Sequence, residues 1–255
     1  MHILVTNDDG VSAPGLLALV KGMRELDDVK ITVLAPNRNW SASGHVKTLG
    51  RPLRVDETQL ADGTPALTTD GAPSDCVALA LLGLTDPVDL VVTGINPHAN
   101  IGHDVTYSGT VTSAMEAVIG GVPGLAFSLE TPNGLTEADY SSAGEVARHV
   151  AERVIQSDGL PKGLLLSTNI PYLPVDEIKG YRITRLGSRI YRDELVSRDD
   201  PWGRPYYWIG GQHPSGEMIP DTDYGAINEG FVSVTPIHLD MTDHKAIKDF
   251  EHWEW

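Results

Sequence analysis

Along the N-terminal part of the chain, short runs of Val, Leu and Ile alternate with stretches whose apolar residues recur every three or four positions. Residues 3–5, 31–34, 90–92, 125–129 and 164–166 each read as a buried strand. Between the first two, Leu16, Leu19, Val20 and Met23 fall on one helical face, with Pro14 near the helix start. A second helix is expected from Pro73 through Leu82, and a third follows Thr110. A fourth is expected to open at the capping-box pattern Ser142-Ala143-Gly144-Glu145 and carries Val146, Val150 and Val154 on one face. Strand and helix in alternation predict βαβ units and a mostly parallel sheet flanked by helices. Two β-like runs, 46–53 and 66–69, interrupt the alternation and predict a hairpin.

After about residue 178 the pattern changes. Residues 181–186 and 206–209 read as strands, but Gly, Pro, Asp and the aromatic residues Trp202, Tyr206, Tyr207 and Trp208 crowd around them. That irregularity does not suit a doubly wound core. It suits either an extended arm packing on another subunit or a loop-rich flank of the same domain.

Composition narrows the class. The 255 residues are 41% hydrophobic and 21% charged, enough for one large core. No stretch reaches the apolar length needed to cross a bilayer, and the strand-like start does not read as a signal peptide. The single cysteine, Cys76, excludes an internal disulfide framework and a cysteine-based zinc site, so a cytoplasmic protein is expected. With 19 Lys+Arg against 35 Asp+Glu, the formal net charge of -16 disfavours duplex nucleic acid and anionic membranes as partners. A polyanionic substrate still suits such a chain if a metal and backbone amides supply local positive charge.

Candidate chemistry begins where the first strand stops, at Asp8-Asp9-Gly10. Adjacent carboxylates at a strand end repel each other and resist burial, so a positive partner is expected, and hard carboxylate oxygens favour a divalent cation. Three further polar, glycine-containing patches follow: residues 36–44 after the second strand, 94–102 after the strand at 90–92, and Tyr107-Ser108-Gly109-Thr110 opening a helix. Singly, each has a plain structural explanation: a turn, a Ser/Gly-rich loop around Ser41, Asn96 and Asn100 shaping a loop, an N-cap at Ser108. In a parallel sheet, however, these strand ends share an edge, where ligands bind. Two carboxylates, a hydroxyl and an amide oxygen form an all-oxygen set suited to Mg²⁺ or Mn²⁺. Free N–H groups at the helix start after Ser108 suit a phosphate. Metal plus anion cradle predicts phosphoryl transfer to water. No Walker A, no G-x-G-x-x-G after the first strand and no paired-histidine spacing is present, which disfavours ATPase, NAD and zinc chemistry.

These residues resemble the SurE ("survival protein E") nucleotidases. The resemblance is carried by ILVTNDDG followed by APG, by PNRNWSAS, by DGAPSDCV, and by VVTGIN through NIGHDVTYSGTVTSAMEA. Echoes continue through YRITRLGSR, YYWIG, TDYGAINEGFVSVTPIHLDMT and the aromatic C-terminus. The resemblance implies one α/β domain over residues 1–255. Its Rossmann-like core runs to roughly 178, an irregular, swapped arm and hairpin covers 179–236, and a C-terminal segment covers 237–255. It also implies homodimers, or tetramers, and metal-dependent hydrolysis of nucleoside 5′-monophosphates, extending to 3′-monophosphates and short polyphosphate. One Mg²⁺ or Mn²⁺ per subunit is implied, held by Asp8, Asp9, Ser41 and Asn96, with Asn100, Ser108, Gly109 and Thr110 lining the phosphate site.

Three positions depart from the family pattern. Asn37 stands where Asp is common, His98 (after Pro97) where Gly is usual, and Ala72 in place of a capping Thr. No implied ligand is lost. The expected activity is a metal-dependent phosphomonoesterase with Asp8 also orienting the attacking water. The alternative is a non-catalytic nucleotide- or phosphate-sensing module. A receiver domain is disfavoured because the later strand ends Thr93-Gly94-Ile95-Asn96 without a phosphoacceptor Asp.

Overall fold

The computed structural model describes residues 1–132, 135, 137–157 and 160–254, so the last residue of the aromatic C-terminus lies outside the described residues. Nine strands form one twisted sheet in the order β3-β4-β2-β1-β5-β6-β7-β11-β8. In chain order these are β1 (His2–Thr6), β2 (Lys30–Pro36), β3 (Val55–Gln59), β4 (Pro65–Thr69), β5 (Leu90–Asn96), β6 (Gly124–Glu130), β7 (Leu165–Pro171), β8 (Tyr181–Ile183) and β11 (Val232–Pro236). The central pairings β4-β2, β2-β1, β1-β5, β5-β6 and β6-β7 are all parallel. The expected mostly parallel α/β sheet is therefore present. Only β3 against β4 and β11 against β7 run antiparallel.

The period-two pleat divides the core. Ile3 and Val5 face a cluster with Leu16, Leu19, Val20 and Met23 of α1 (Pro14–Arg24) and Val146, Val150 and Val154 of α4 (Ser141–Ile155). Leu4 and Val91 face the other side, against Cys76 and Val77 of α2 (Pro73–Leu79) and Ala117 of α3 (Gly109–Ile119). Each fully buried Leu or Ile stabilises the fold by about 1.5–3 kcal/mol relative to exposure. Two helices thus cover each face, and the loops at the strands' C-terminal ends stay free to carry a site.

Several expectations are corrected. The run 46–53 is not a strand: Gly50 and Pro52 interrupt it, and Thr48 and Arg51 are tied to Asp75 and Asp70 instead of a ladder. The hairpin is β3-β4, starting at Val55. The second helix stops at Leu79 and continues as a wider turn, Ala80–Leu84. The third begins at Gly109, before Thr110, because Ser108 is its cap. The fourth lacks a Ser142 capping box; it starts at Ser141, whose amide donates to Asp139 Oδ1 at 2.8 Å.

Part of the span 179–236, expected as an irregular arm and hairpin, belongs to the main sheet. Only β9 (Arg189–Asp199) and β10 (Pro205–Gly216) leave the sheet, as a separate antiparallel hairpin. β8 and β11 join the main sheet, with α5 (Asp223–Asn228) between the hairpin and β11. A short α6 (His244–Phe250) is the last helix among the described residues. No helix of the described residues is long and apolar enough to cross a membrane.

Candidate functional site

The acidic pair emerges at the C-terminal end of β1 and is held there by its neighbours. Buried Asn7 locks the turn: its Nδ2 donates to the Gly10 carbonyl oxygen at 3.0 Å and its Oδ1 accepts the Gly10 amide at 3.2 Å. Asp8 is only 3% exposed. Its Oδ1 accepts the Thr110 hydroxyl at 2.5 Å, and the Thr110 carbonyl oxygen accepts the Thr93 hydroxyl at 2.6 Å, joining β1, β5 and α3 at one point. Gly109 lies against Asp8 so closely that a Cβ there would sit 2.9 Å from Asp8 Oδ2.

The loop after β2 spans this junction. Near its start the Trp40 amide donates to the Asp8 carbonyl oxygen at 2.8 Å; at its end the Gly44 amide donates to the Tyr107 carbonyl oxygen at 2.9 Å. Asn39 connects its contents to the acids. Its Nδ2 donates to Asp9 Oδ1 at 3.1 Å and its Oδ1 accepts the Ser41 amide at 2.7 Å. Ser41 itself is exposed. Arg38 stacks on Trp40, 4.6 Å from the ring centroid, rather than pairing with a carboxylate.

Asn96 reaches the same edge because β1 and β5 are neighbours, with Thr6 paired to Thr93. A one-residue bulge between Thr93 and Asn96 shifts the β5-β6 register, the device by which a strand end re-aims a side chain. Asn96 Nδ2 donates to the His98 carbonyl oxygen at 2.5 Å. Asn100 is buried: its Nδ2 donates to Ser128 Oγ at 2.7 Å, its amide to Asn169 Oδ1 at 2.8 Å, and its carbonyl oxygen accepts Asn169 Nδ2 at 3.1 Å. Among the described residues no hydrogen bond joins Asn96 or Asn100 to the carboxylates. Ser108 Oγ accepts the Val111 amide at 3.1 Å, and so caps α3.

The electrostatics are those of a site short of positive charge. Burial raises the Asp8 carboxyl above its ordinary range; the Thr110 hydroxyl and the backbone of Thr110 and Gly109 offset part of this. Asp9 is pushed up to about 7 by burial and by the neighbouring Asp8 charge, with Asn39 opposing. Neither carboxylate has a Lys, Arg or His partner among the described residues. No group of three His, Cys, Asp or Glu side chains is clustered for a metal among them either, so a cation here would need neutral oxygens beside the two acids. Ser41 and Asn96 belong to the two segments flanking the acids, and are such donors. The donor set fits a hard divalent ion.

The arrangement also differs in one respect from a free anion cradle. The amides that open α3 are directed at Asp8, so the carboxylate occupies the favourable end of that helix. Asn39 is the residue sequence reasoning passed over. Its signal was an Asn two residues before Ser41, the spacing of an Asx-turn.

A family model described as "Survival protein SurE" matches residues 3–193. The chain belongs to the SurE family. Over 256 residues it is 50% identical to a protein named 5′-nucleotidase SurE from Chloroflexus aggregans, covering 100% of each. A protein of the same name from Herpetosiphon aurantiacus is 52% identical, over 95% of this chain and 94% of that protein. The crystal structure of the SurE protein from Aquifex aeolicus superposes with a TM-score of 0.82 at 37% identity, covering 98% of each chain. The SurE-family match includes all eight candidate residues, Asp8 through Thr110, and ends inside β9.

Proposed function

We propose that this SurE-family chain is a 5′-nucleotidase that hydrolyses nucleoside 5′-monophosphates with one divalent cation, Mg²⁺ or Mn²⁺, per subunit. Nucleoside 3′-monophosphates and short polyphosphate are the further substrates we assign to it. The observation that carries this reading is the pair of adjacent carboxylates at the sheet edge, without a basic partner among the described residues and beside the start of α3. The names of its full-length relatives supply the reaction class.

In this reading Asp8 and Asp9 hold the cation together with the Ser41 hydroxyl and the Asn96 amide oxygen. When bound, the cation would neutralise phosphate charge and polarise a phosphoryl oxygen. Asn39 keeps Asp9 and the Ser41 backbone at a fixed separation. Asn100, Ser108, Gly109 and Thr110 line the phosphate side; because the opening amides of α3 already meet Asp8, the phosphate there is drawn chiefly by the cation that Asp8 and Asp9 hold. Asp8 orients the attacking water, and Thr110 holds the Asp8 carboxylate in place.

Two finer features belong to the same reading. The hairpin β9-β10 exposes Leu195, Tyr207 and Ile209 on one face and Trp208 on the other, and we assign this apolar surface to self-association as a dimer, or a tetramer built from dimers. Light scattering distinguishes these states from a monomer. The one cysteine is buried and free, which suits a reducing, cytoplasmic setting.

The test is phosphate release from AMP, other nucleoside monophosphates and polyphosphate, with Mg²⁺, with Mn²⁺ and after EDTA. Cation-dependent release that EDTA abolishes is the expected result. Binding of AMP without release under every cation would instead identify a nucleotide sensor.

A further inference from the structure

A buried acid outside the site contacts the segment that follows β5. Asp223, the first residue of α5, is wholly buried. Its Oδ2 accepts the Gly102 amide at 2.8 Å, and its Oδ1 accepts the amides of Gly187 and Tyr224, each at 2.8 Å. Such a carboxylate tolerates burial because backbone donors replace its water. Gly102 begins the single turn that leads to Ser108, whereas Gly187 lies two residues before β9, at the foot of the hairpin. The two backbones touch: a Cβ on Gly102 would lie 2.4 Å from the Gly187 carbonyl oxygen.

A second tie runs beside the first. Asp104 Oδ2 lies 3.2 Å from Arg189 Nε, and its Oδ1 accepts the Tyr191 hydroxyl, both from β9. The Asp104 carbonyl oxygen accepts the amides of Tyr107 at 2.9 Å and Ser108 at 3.0 Å. Ser108 caps α3, and the first turn of α3 meets Asp8. Hydrogen bonds, the Arg189–Asp104 ion pair and the intervening backbone therefore connect the hairpin foot to the acidic pair.

We propose that Asp223 is a positioning residue for the reaction. With Gly102 on one oxygen and Gly187 on the other, it makes correct seating of the hairpin a condition for the shape of the 96–110 segment. A hairpin drawn from its seat pulls on Gly102 and, through the turn at Asp104, on Ser108 and Thr110. The kinetic part of this inference rests on the nucleotidase reading; the structural part does not.

Two variants test it. Asp223→Asn replaces one acceptor oxygen with an NH₂ group that opposes a backbone N–H. Gly187→Ala places a methyl carbon 2.9 Å from Asp223 Oδ1 and alters none of the residues proposed to hold cation or phosphate. Amide exchange across 100–110 is measured in the cation-free protein, and kcat and KM for AMP are measured with Mn²⁺. In both variants the Gly102 and Ser108 amides should exchange at least about tenfold faster than in wild type. KM should rise about fivefold or more while kcat stays within about twofold. A purely structural Asp223 would lower the melting temperature and the active fraction, and so kcat, with KM and exchange at 100–110 unchanged in the folded protein; that result overturns the proposal. If Asp223→Asn does not fold, Gly187→Ala decides alone by the same criteria. If the wild type releases no phosphate with any cation, the nucleotidase reading fails and the exchange comparison alone decides this one.

Discussion

Gly109 and Asp8 are in contact through space that only a glycine leaves free: a Cβ built on Gly109 would lie 2.6 Å from the Cβ of Asp8. The first residue of α3 is thereby keyed to the acid at the end of β1. Gly109→Ala must push either the carboxylate or the helix start aside. Because a displacement of about 1 Å in a catalytic group costs on the order of 100-fold, kcat/KM should fall by at least about that factor. Overpacking should cost only about 1–3 kcal/mol of stability, so the variant should still fold. Circular dichroism and phosphate release on the same sample check both halves. Wild-type activity would show that Asp8 has no fixed position to lose.

The raised pKa of Asp9 contributes to the pH dependence of the cation-free protein. Its folded value, about 7, lies above the 3.8 of the unfolded chain. A carboxyl raised on folding contributes stability that is fully present below its unfolded value and is lost as pH rises through the folded one. Without cation, the melting temperature should therefore fall between about pH 4 and pH 8 by more in wild type than in Asp9→Asn. A divalent cation competes with the proton, so Mg²⁺ or Mn²⁺ should raise the wild-type melting temperature more at about pH 8 than at about pH 5. Asp8→Asn removes a buried charge, and should melt no lower than wild type without cation, yet lose hydrolysis and the cation-induced shift. Full activity in Asp8→Asn would sink its assigned role.

Asn39 supplies a prediction of a different kind, since it touches Asp9 and the Ser41 backbone but is not itself a proposed ligand. Asn39→Ala removes a hydrogen bond to a charged group, worth about 1.5–3 kcal/mol, so Mn²⁺ affinity should weaken roughly tenfold or more. Titration calorimetry at fixed pH measures it. Unchanged affinity would mean that Asp9 and Ser41 hold their places without the bridge.

The distribution of what the sequence disclosed follows from the range of the interactions. Residues 3–5 are wholly apolar and stop at two acids, so β1 and its functional end were both visible locally. The helix faces of α1 and α4 were visible for the same reason. β9 was not: Arg189-Ile190-Tyr191-Arg192-Asp193-Glu194 is charged and largely exposed, and it pairs only with β10. The β-like run at 46–53 misled because its polar residues Lys47, Thr48 and Arg51 are tied to Glu116, Asp75 and Asp70, and no ladder forms there. Asn39 is a local signal that only its partners make meaningful. The bond from Thr110 to Asp8 crosses 102 residues and exists only because β5 lies beside β1, which alternation of strand and helix does not specify.

His98 lies two residues after Asn96 on the same loop, and its imidazole invites a role in proton transfer. The geometry assigns the work to the backbone instead. Asn96 Nδ2 donates to the His98 carbonyl oxygen, a contact any residue can make, while the exposed imidazole approaches Thr131, whose hydroxyl lies 3.3 Å from Nδ1. Thr131 also donates to the Pro97 carbonyl oxygen and so holds the loop without His98. His98→Ala should keep kcat/KM within about threefold and leave the pH–rate profile unchanged between about pH 6 and 8, where a functional imidazole would titrate. Loss of an ionisation from that profile would place His98 in the reaction. An unchanged profile with a modest rise in KM fits a residue that only shapes the loop carrying Asn96.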